Sequence, residues 1–339
     1  MARDTPVSAS AAPDAARVSM AQVAARAGVS GQTVSRVVNG SPRVDPATRA
    51  RVEAAMAELG YRPHRAARAL RTGRSHTIGL VVTTLATIGN SRMLQATAEA
   101  AAERGYALTV VTASEGVEAA FAQLADQGVD GAVVLNEASA LVPSAPRPPG
   151  LRLVVVDAPA ETGAIVVHSD HAGGAAAATA HLLSLGHATV HHLAGPADSF
   201  AAAERERGWR EALAAGGIAA PAVVRGDWTS RSGFAAGAAL APATAVFCAN
   251  DQMALGLLRA LAESGRRVPA DVSVVGFDDV PDAADYLPPL TTIRQDFSAL
   301  AQRAVGALVA AIEGADPAAD GDRAIVPTRL LVRDSTAHR

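Results

Sequence analysis

Lysine is missing from this chain: all thirty of its basic residues are arginine. That excludes a Schiff-base lysine and the lysine of a Walker phosphate loop. Cysteine occurs once, at Cys248, which excludes an internal disulfide framework and a cysteine-rich zinc site. Aromatic residues make up 3% of the chain, so its two tryptophans, Trp209 and Trp228, stand out. No apolar run reaches the roughly 18 residues that cross a bilayer. The first 17 residues lack the apolar core of a signal peptide; they read as a disordered tail, and the chain as cytoplasmic. The patterns GxSxG, GxGxxG and HExxH are absent as well, so no familiar catalytic signature argues for an enzyme. His191 and His192 alternate on a strand-like run and point to opposite faces, which keeps them from sharing one metal ion. No cofactor is expected.

What is present is 339 residues, 49% of them hydrophobic, enough for two or three globular units. The net charge of −3 hides an asymmetry. Residues 17–75 hold eleven arginines against Asp45, Glu53 and Glu58, a net of +8, while residues 76–339 sum to −10. A basic head on an acidic body suggests that the head alone meets a polyanion. A solvated helix surface would give the same count.

The head carries three helical patterns. Met20, Val23, Ala24 and Ala27 recur at helical spacing behind Ser19, a plausible N-cap. Gly28 allows a left-handed turn, and Val29 plugs the corner. Ser30 caps a second helix whose Val34 and Val37 face inward. Its outer face presents Gln32, Thr33, Ser35, Arg36 and Asn39. Asp45-Pro46 opens a third helix with an apolar stripe of Thr48, Val52, Ala55, Met56 and Leu59, which Gly60 ends. Two short helices at a tight glycine turn, braced by a third, form a helix-turn-helix. Its second helix suits the major groove, where glutamine and arginine read base edges. Ser30, Thr33, Ser35, Asn39 and Thr48 suit phosphate contacts.

"VAARAGVSGQTVSRVVN" closely resembles the head of the lactose-repressor (LacI/GalR) family, whose pattern is VAxxAGVSxxTVSRVxN. The resemblance implies base reading by Gly31, Gln32 and Arg36, with Ser19, Met20, Arg43 and Tyr61 completing the DNA-binding set. Gly31 offers no side chain at the first variable position of the second helix, so reading at that step falls to Gln32, Arg36 or DNA shape. "YRPHRAARALRTGRS", Tyr61–Ser75, resembles the family's hinge, a helix that folds on DNA and wedges a leucine into the minor groove. Leu70 takes that place, with Ala67 facing the partner hinge. A plain basic linker with five arginines would also touch phosphate.

From His76 onward eight apolar runs alternate with helical stretches: HTIGLVV, YALTVV, GAVVL, LVVVD, ATVHHLAG, PAVVRGDW, TAVFCAND and DVSVVGFDD. That rhythm predicts an α/β body of parallel sheets covered by helices, with ligands beyond the carboxyl ends of the strands. Stretches such as ANDQMALG, ADVSVVGFDD and PPLTTIRQDF extend the resemblance over nearly the whole chain. It implies a two-lobed core like a periplasmic binding protein, with three crossovers. The expected organisation is a tail over 1–17, a helix-turn-helix domain over 18–62, a hinge over 63–75 and a core over 76–339. Within the core the first lobe takes residues 76–184 plus 295–324, and the second 185–294 plus 325–333.

The resemblance also assigns an effector site. Arg205, Asn250 and Asp278 match hydroxyl-binding positions, and Trp228 matches the tryptophan that stacks on a sugar face. Thr83, Asn136, Gln295 and Phe297 match lesser contacts. Three of these residues have a structural alternative: Asp278 as a helix N-cap, Asn250 as a turn residue, Trp228 as core. Ala172 stands where the resemblance places a sugar-binding aspartate, which alters the expected floor of the pocket. No leucine heptad follows VPTRLLVRDS, so a dimer is expected. The implied protein is a repressor whose affinity for near-palindromic operator DNA is controlled by a saccharide bound between the lobes. A non-sugar effector or a co-repressor mode fits the same fold. A transport-type sugar-binding protein fits the body but not the head.

Overall fold

The computed structural model describes residues 18–38, 40–61, 73–159, 164–314 and 324–339. The chain divides into two compact units, Met1–Ser75 and His76–Arg339.

The head contains α1 (Met20–Ala27), α2 (Gly31–Val38) and α3 (Pro46–Leu59). Ser19 opens α1 with a reciprocal cap: its hydroxyl accepts from the Gln22 amide, and the Gln22 side chain accepts from the Ser19 amide at 2.7 Å. Gly28 closes α1 at φ 64°, a conformation that costs a side-chain-bearing residue energy and glycine almost none. The Ser30 hydroxyl accepts from the Thr33 amide at 3.2 Å, and Asp45 does the same for Thr48 at 3.0 Å, with Pro46 as the first residue of α3. Val23, Ala24, Ala27, Val34, Val37, Val52, Ala55 and Tyr61 fill a small core, with Val29, Met56 and Leu59 packed against it. Met20, expected on the inner stripe, is exposed: it sits on the first turn of α1, outside that core.

The second unit contains two six-stranded sheets. The first is built from β1 (Thr77–Val82), β2 (Ala107–Thr112), β3 (Gly131–Leu135), β4 (Arg152–Val156), β5 (Ile165–Ser169) and β11 (Ala324–Val326), ordered β11-β5-β4-β3-β1-β2 and parallel throughout. The second is built from β6 (His191–Ala194), β7 (Val224–Arg225), β8 (Ala245–Cys248), β9 (Ser273–Asp278), β10 (Thr291–Arg294) and β12 (Arg329–Leu331). Its order is β12-β10-β9-β8-β6-β7, and only β12 runs antiparallel. The central strands β1, β3, β4, β8 and β9 are buried almost end to end, as parallel strands covered on both faces must be.

Helices α4 (Ile88–Glu103) and α10 (Phe297–Glu313) cover one face of the first sheet, and α5 (Val117–Asp126) lies against the other. The second sheet is covered by α6 (His171–Ser184) and α7 (Phe200–Ala215) on one face, and by α8 (Ser230–Ala235) and α9 (Asp251–Glu263) on the other. The chain crosses between the sheets three times: after β5, after β10 and after β11.

Two lobe boundaries differ from the sequence expectation. Ala175, Ala178 and Leu182 of α6 pack with Trp209, Phe247 and Phe277, so the second lobe begins near residue 170 instead of 185. Strand β11 pairs with β5, so residues through Val326 belong to the first lobe, not to the second. Strands β5, β10, β11 and β12 are not among the eight apolar runs. Each has three to five residues and takes its strand character from the ladder that receives it.

Candidate functional site

On the head, Gln32 and Arg36 are exposed one helical turn apart on α2, with Gly31 exposed beside them. Thr33 and Ser35 are half-buried, and the Ser30 and Thr33 hydroxyls lie 3.0 Å apart. Ser19, Met20, Ser30 and Arg43 are exposed, and Thr48 is half-buried at the start of α3. The Arg26 guanidinium is held by Glu58 of α3, which fixes α1 against the bracing helix. The expectation for Tyr61 does not hold: it is buried among Val23, Val34 and Val52, because the turn after Gly60 folds it back into the core. Asn39, Ala67 and Leu70 lie outside the described residues.

Between the two lobes lies a cleft lined by residues of both. Arg205 stands at its centre, on α7, almost fully buried. Its Nη2 lies 3.4 Å from the Asp278 carboxylate, its Nε donates to His171 Nδ1 at 3.3 Å, and its Nη1 donates to the Ala249 carbonyl. The guanidinium sits 3.9 Å over the Phe277 ring and 5.4 Å from the Trp228 ring. Burial lowers the pKa of Arg205, opposed by Asp278 and Asp157.

The other groups converge from strand ends. Asn136 follows β3, Asp157 follows β4, Trp228 follows β7, Asn250 follows β8, Asp278 ends β9 and Gln295 follows β10. This is where parallel sheets place their ligands. Asn136, Asp157, Trp228 and Asp278 all have positive φ, at 46°, 55°, 72° and 111°. Such backbone costs on the order of 1–3 kcal/mol per residue and clusters where side chains must be aimed at a ligand.

Asp278 accepts from Gln295 Nε2 at 2.7 Å; burial raises its pKa, and Arg205 and Gln295 act against that rise. Asp157 shows the opposite balance. Burial pushes its carboxyl up, but His171 Nε2 at 2.9 Å and the Ser169 amide at 3.2 Å outweigh it and leave the group below the ordinary range. Asn250 caps α9 through the Met253 amide and donates to the Trp228 carbonyl at 3.0 Å, so it is a cap and a cleft residue at once. The Trp228 ring lies against Gly195, where a Cβ would collide with it. Its Nε1 donates to Glu137 Oε1 at 3.2 Å. Phe297 opens α10 under Arg92, whose guanidinium lies 4.9 Å from its ring centroid.

Seven of the eight expected effector residues therefore line one cleft: Asn136, Arg205, Trp228, Asn250, Asp278, Gln295 and Phe297. Thr83 does not. It stands at the end of β1, and the cleft is reached further on, by Thr87, Gly89 and Asn90 at the start of α4. Ala172 does not line the cleft either; the carboxylates that do are those of Glu137, Asp157 and Asp278. Sequence reasoning missed Asn90, Glu137 and Asp157. For Asp157 the signal was present, since it ends the run LVVVD as Asp278 ends DVSVVGFD.

Hydrogen bonds join the lobes across the cleft. Besides Trp228 to Glu137, the Ile88 amide donates to Gln252 Oε1 at 3.1 Å and Arg92 donates to the Asp279 carbonyl at 3.0 Å. Asp279 itself is held by Arg294 and Arg333, each at 2.7 Å. His192, by contrast, serves the core: it is fully buried, donates from Nδ1 to the Phe247 carbonyl and stacks on that ring. Among the described residues no helix is long and apolar enough to cross a membrane.

A helix-turn-helix unit ahead of a two-lobed core with a polar and aromatic cleft defines a ligand-responsive DNA-binding regulator. Residues 19–64 match the model for bacterial regulatory proteins of the lacI family, and residues 179–336 match a periplasmic binding protein-like domain. The lactose operon repressor of Escherichia coli (strain K12) is 40% identical over 333 residues, covering 94% of this chain and 91% of that protein. The regulator CelR of Thermobifida fusca is 39% identical over 336 residues, covering 94% and 98%. Among solved structures, the lac repressor dimer bound to operator and the anti-inducer ONPF superposes with a TM-score of 0.84 at 37% identity, covering 95% of this chain and 99% of that one. The CelR–cellobiose complex gives 0.68 at 36% identity, covering 94% and 100%. The chain belongs to the lacI family, and it is a DNA-binding transcriptional regulator of that family.

Proposed function

We propose that this chain is a cytoplasmic transcriptional repressor that works as a homodimer on near-palindromic operator DNA and is released from it by a saccharide bound in the cleft. It needs no metal or organic cofactor and catalyses no reaction. One observation carries the reading: a buried arginine from α7, together with a carboxylate, an amide and an indole from three separate strand ends, faces one inter-lobe space. A guanidinium forks onto adjacent hydroxyls, and an indole covers the C–H face of a pyranose. The relatives support the class of ligand, since CelR is solved with cellobiose and the lac repressor with ONPG and ONPF.

The coupling follows from the cleft's position between two lobes. A ligand that prefers one arrangement of the lobes shifts the population toward it by its difference in affinity, on the scale of about 1–3 kcal/mol for coupled sites. In the head, Gln32 and Arg36 read bases, while Ser19, Ser30, Thr33, Ser35, Arg43 and Thr48 hold phosphates. Asn39, Ala67 and Leu70 keep the roles that the sequence assigns them.

The test combines a thermal-shift screen of mono- and disaccharides with gel retardation on DNA upstream of the chain's own gene. A true ligand raises the melting temperature by mass action and releases the DNA at matching concentration. A ligand that tightens retardation reverses the sign to co-repression. Absence of retardation by any such DNA would reject the reading.

A further inference from the structure

The effector cleft is lined by three carboxylates, those of Glu137, Asp157 and Asp278, against the single guanidinium of Arg205. Two of the three are matched. Asp157 has His171 and the Ser169 amide; Asp278 has Arg205 and Gln295. Glu137 is not matched in this way. Its Oε1 takes one neutral donor, the Trp228 indole, and its Oε2 is buried without a partner. Gln295 Oε1, on the same cleft, is a second buried acceptor without a donor. A buried acceptor left unpaired is costly, and a ligand group that donates to it recovers that cost.

We propose that Glu137 determines the chemical class of the effector: it requires a hydrogen-bond donor on the sugar beside Trp228 and turns away acidic saccharides, uronates and sugar phosphates alike. This rests on the saccharide reading above. A carboxylate has acceptors only, so it welcomes a hydroxyl or an ammonium and has nothing to offer an anion. An anionic ligand would bring a further negative charge into a partly buried cleft where acids already outnumber bases, and there the repulsion is less screened than at an exposed surface. Rejection built from an unmatched like charge is a common source of specificity. Glu137 lies at the start of the 3-10 helical segment after β3, in the first lobe, whereas Trp228 belongs to the second. A sugar donating to Glu137 therefore also reinforces the bridge between the lobes.

The competing role for Glu137 is purely structural, orienting the Trp228 ring. Glu137→Gln separates the two, because the amide keeps size and an acceptor for the indole but loses the charge. The probe is the neutral saccharide that gives the largest thermal shift in the screen, paired with its uronate. Wild-type protein is expected to bind the neutral sugar at least about tenfold more tightly than the uronate by calorimetry. In Glu137→Gln that ratio is expected to shrink about tenfold. Glu137→Leu removes the acceptor and is expected to weaken the neutral sugar about tenfold. An unchanged neutral-to-uronate ratio in Glu137→Gln, with both variants melting as wild type does, would leave only the orienting role and overturn the proposal. Tighter binding of the uronate by wild type would overturn it as well. If no saccharide of any charge binds wild type, the failure lies in the saccharide reading itself.

Discussion

Replacing Arg205 by lysine is expected to leave operator retardation intact and to raise the sugar concentration needed for release about a hundredfold, the equivalent of roughly 2.7 kcal/mol. The guanidinium is planar and already committed on three sides, to Asp278, His171 and the Ala249 carbonyl. Its ring-stacked position over Phe277 fixes the plane in which its remaining donor atoms face the cleft. A lysine ammonium preserves the charge that Asp278 requires but cannot form that fork or stack in that plane. Lysine is the informative choice, since alanine would strand Asp278 in a buried site, at a cost of about 3–5 kcal/mol for a broken buried pair. The readout is a gel-retardation titration with sugar. An Arg205→Lys variant that lets go of DNA at the wild-type sugar midpoint would show that the sugar does not meet Arg205.

The second large effect is on stability in mild acid. Burial, chiefly, lowers the pKa of His192 to about 4, and the nearby Arg225 and Arg205 add to it, while the Phe247 carbonyl and Glu206 oppose it. The unfolded chain binds a proton on this residue near its ordinary value of about 6.5. The folded state thus resists a proton that the unfolded state accepts. The stability from keeping His192 neutral is complete above pH 6.5 and is lost as pH falls from there toward 4. Across that window the loss amounts to on the order of 3 kcal/mol. His192→Asn supplies a side-chain N–H in place of Nδ1 and does not titrate. Its unfolding free energy by denaturant titration is expected to fall less between about pH 7 and about pH 4.5 than that of wild type. Asp251 works the other way, because burial and the Asp278 charge raise its pKa and make its neutral form easier to reach in acid. The wild-type-minus-variant difference cancels that contribution. Parallel pH curves for the two proteins would remove His192 as the source.

The head was legible almost residue by residue because its information is local. A cap, a glycine turn and a 3.6-residue stripe each lie within one or two turns of chain, and Ser19, Gly28, Asp45, Pro46 and Gly60 all occupy the roles their chemistry assigns. Tyr61 fails for a tertiary reason: an aromatic ring beside a basic hinge looks available, and only the folded core shows that it is taken. In the body, the long strands announced themselves as apolar runs, while β11 and β12 are only three residues long and three of the four residues of β10 are polar. Lobe membership was harder still. The face of α6 formed by Ala175, Ala178 and Leu182 is equally suited to either sheet, and nothing in those residues says which one it meets.

The cleft divides along the same line. Arg205, Trp228, Asn250 and Asp278 are carried by recognisable motifs, and they meet as expected. Glu137 sits in a short 3-10 segment with no pattern around it. Its importance comes from what surrounds it in space, an indole from the other lobe and an oxygen with no donor.

The two tryptophans have unequal surroundings, and this gives the protein a built-in optical gauge. Trp209 is sealed in the second lobe with its Nε1 on the Val190 carbonyl, remote from any solute, whereas Trp228 forms a wall of the cleft against a carboxylate from the opposite lobe. Emission that changes on adding a sugar therefore originates at one indole, and its intensity and wavelength follow occupancy of the cleft without a label.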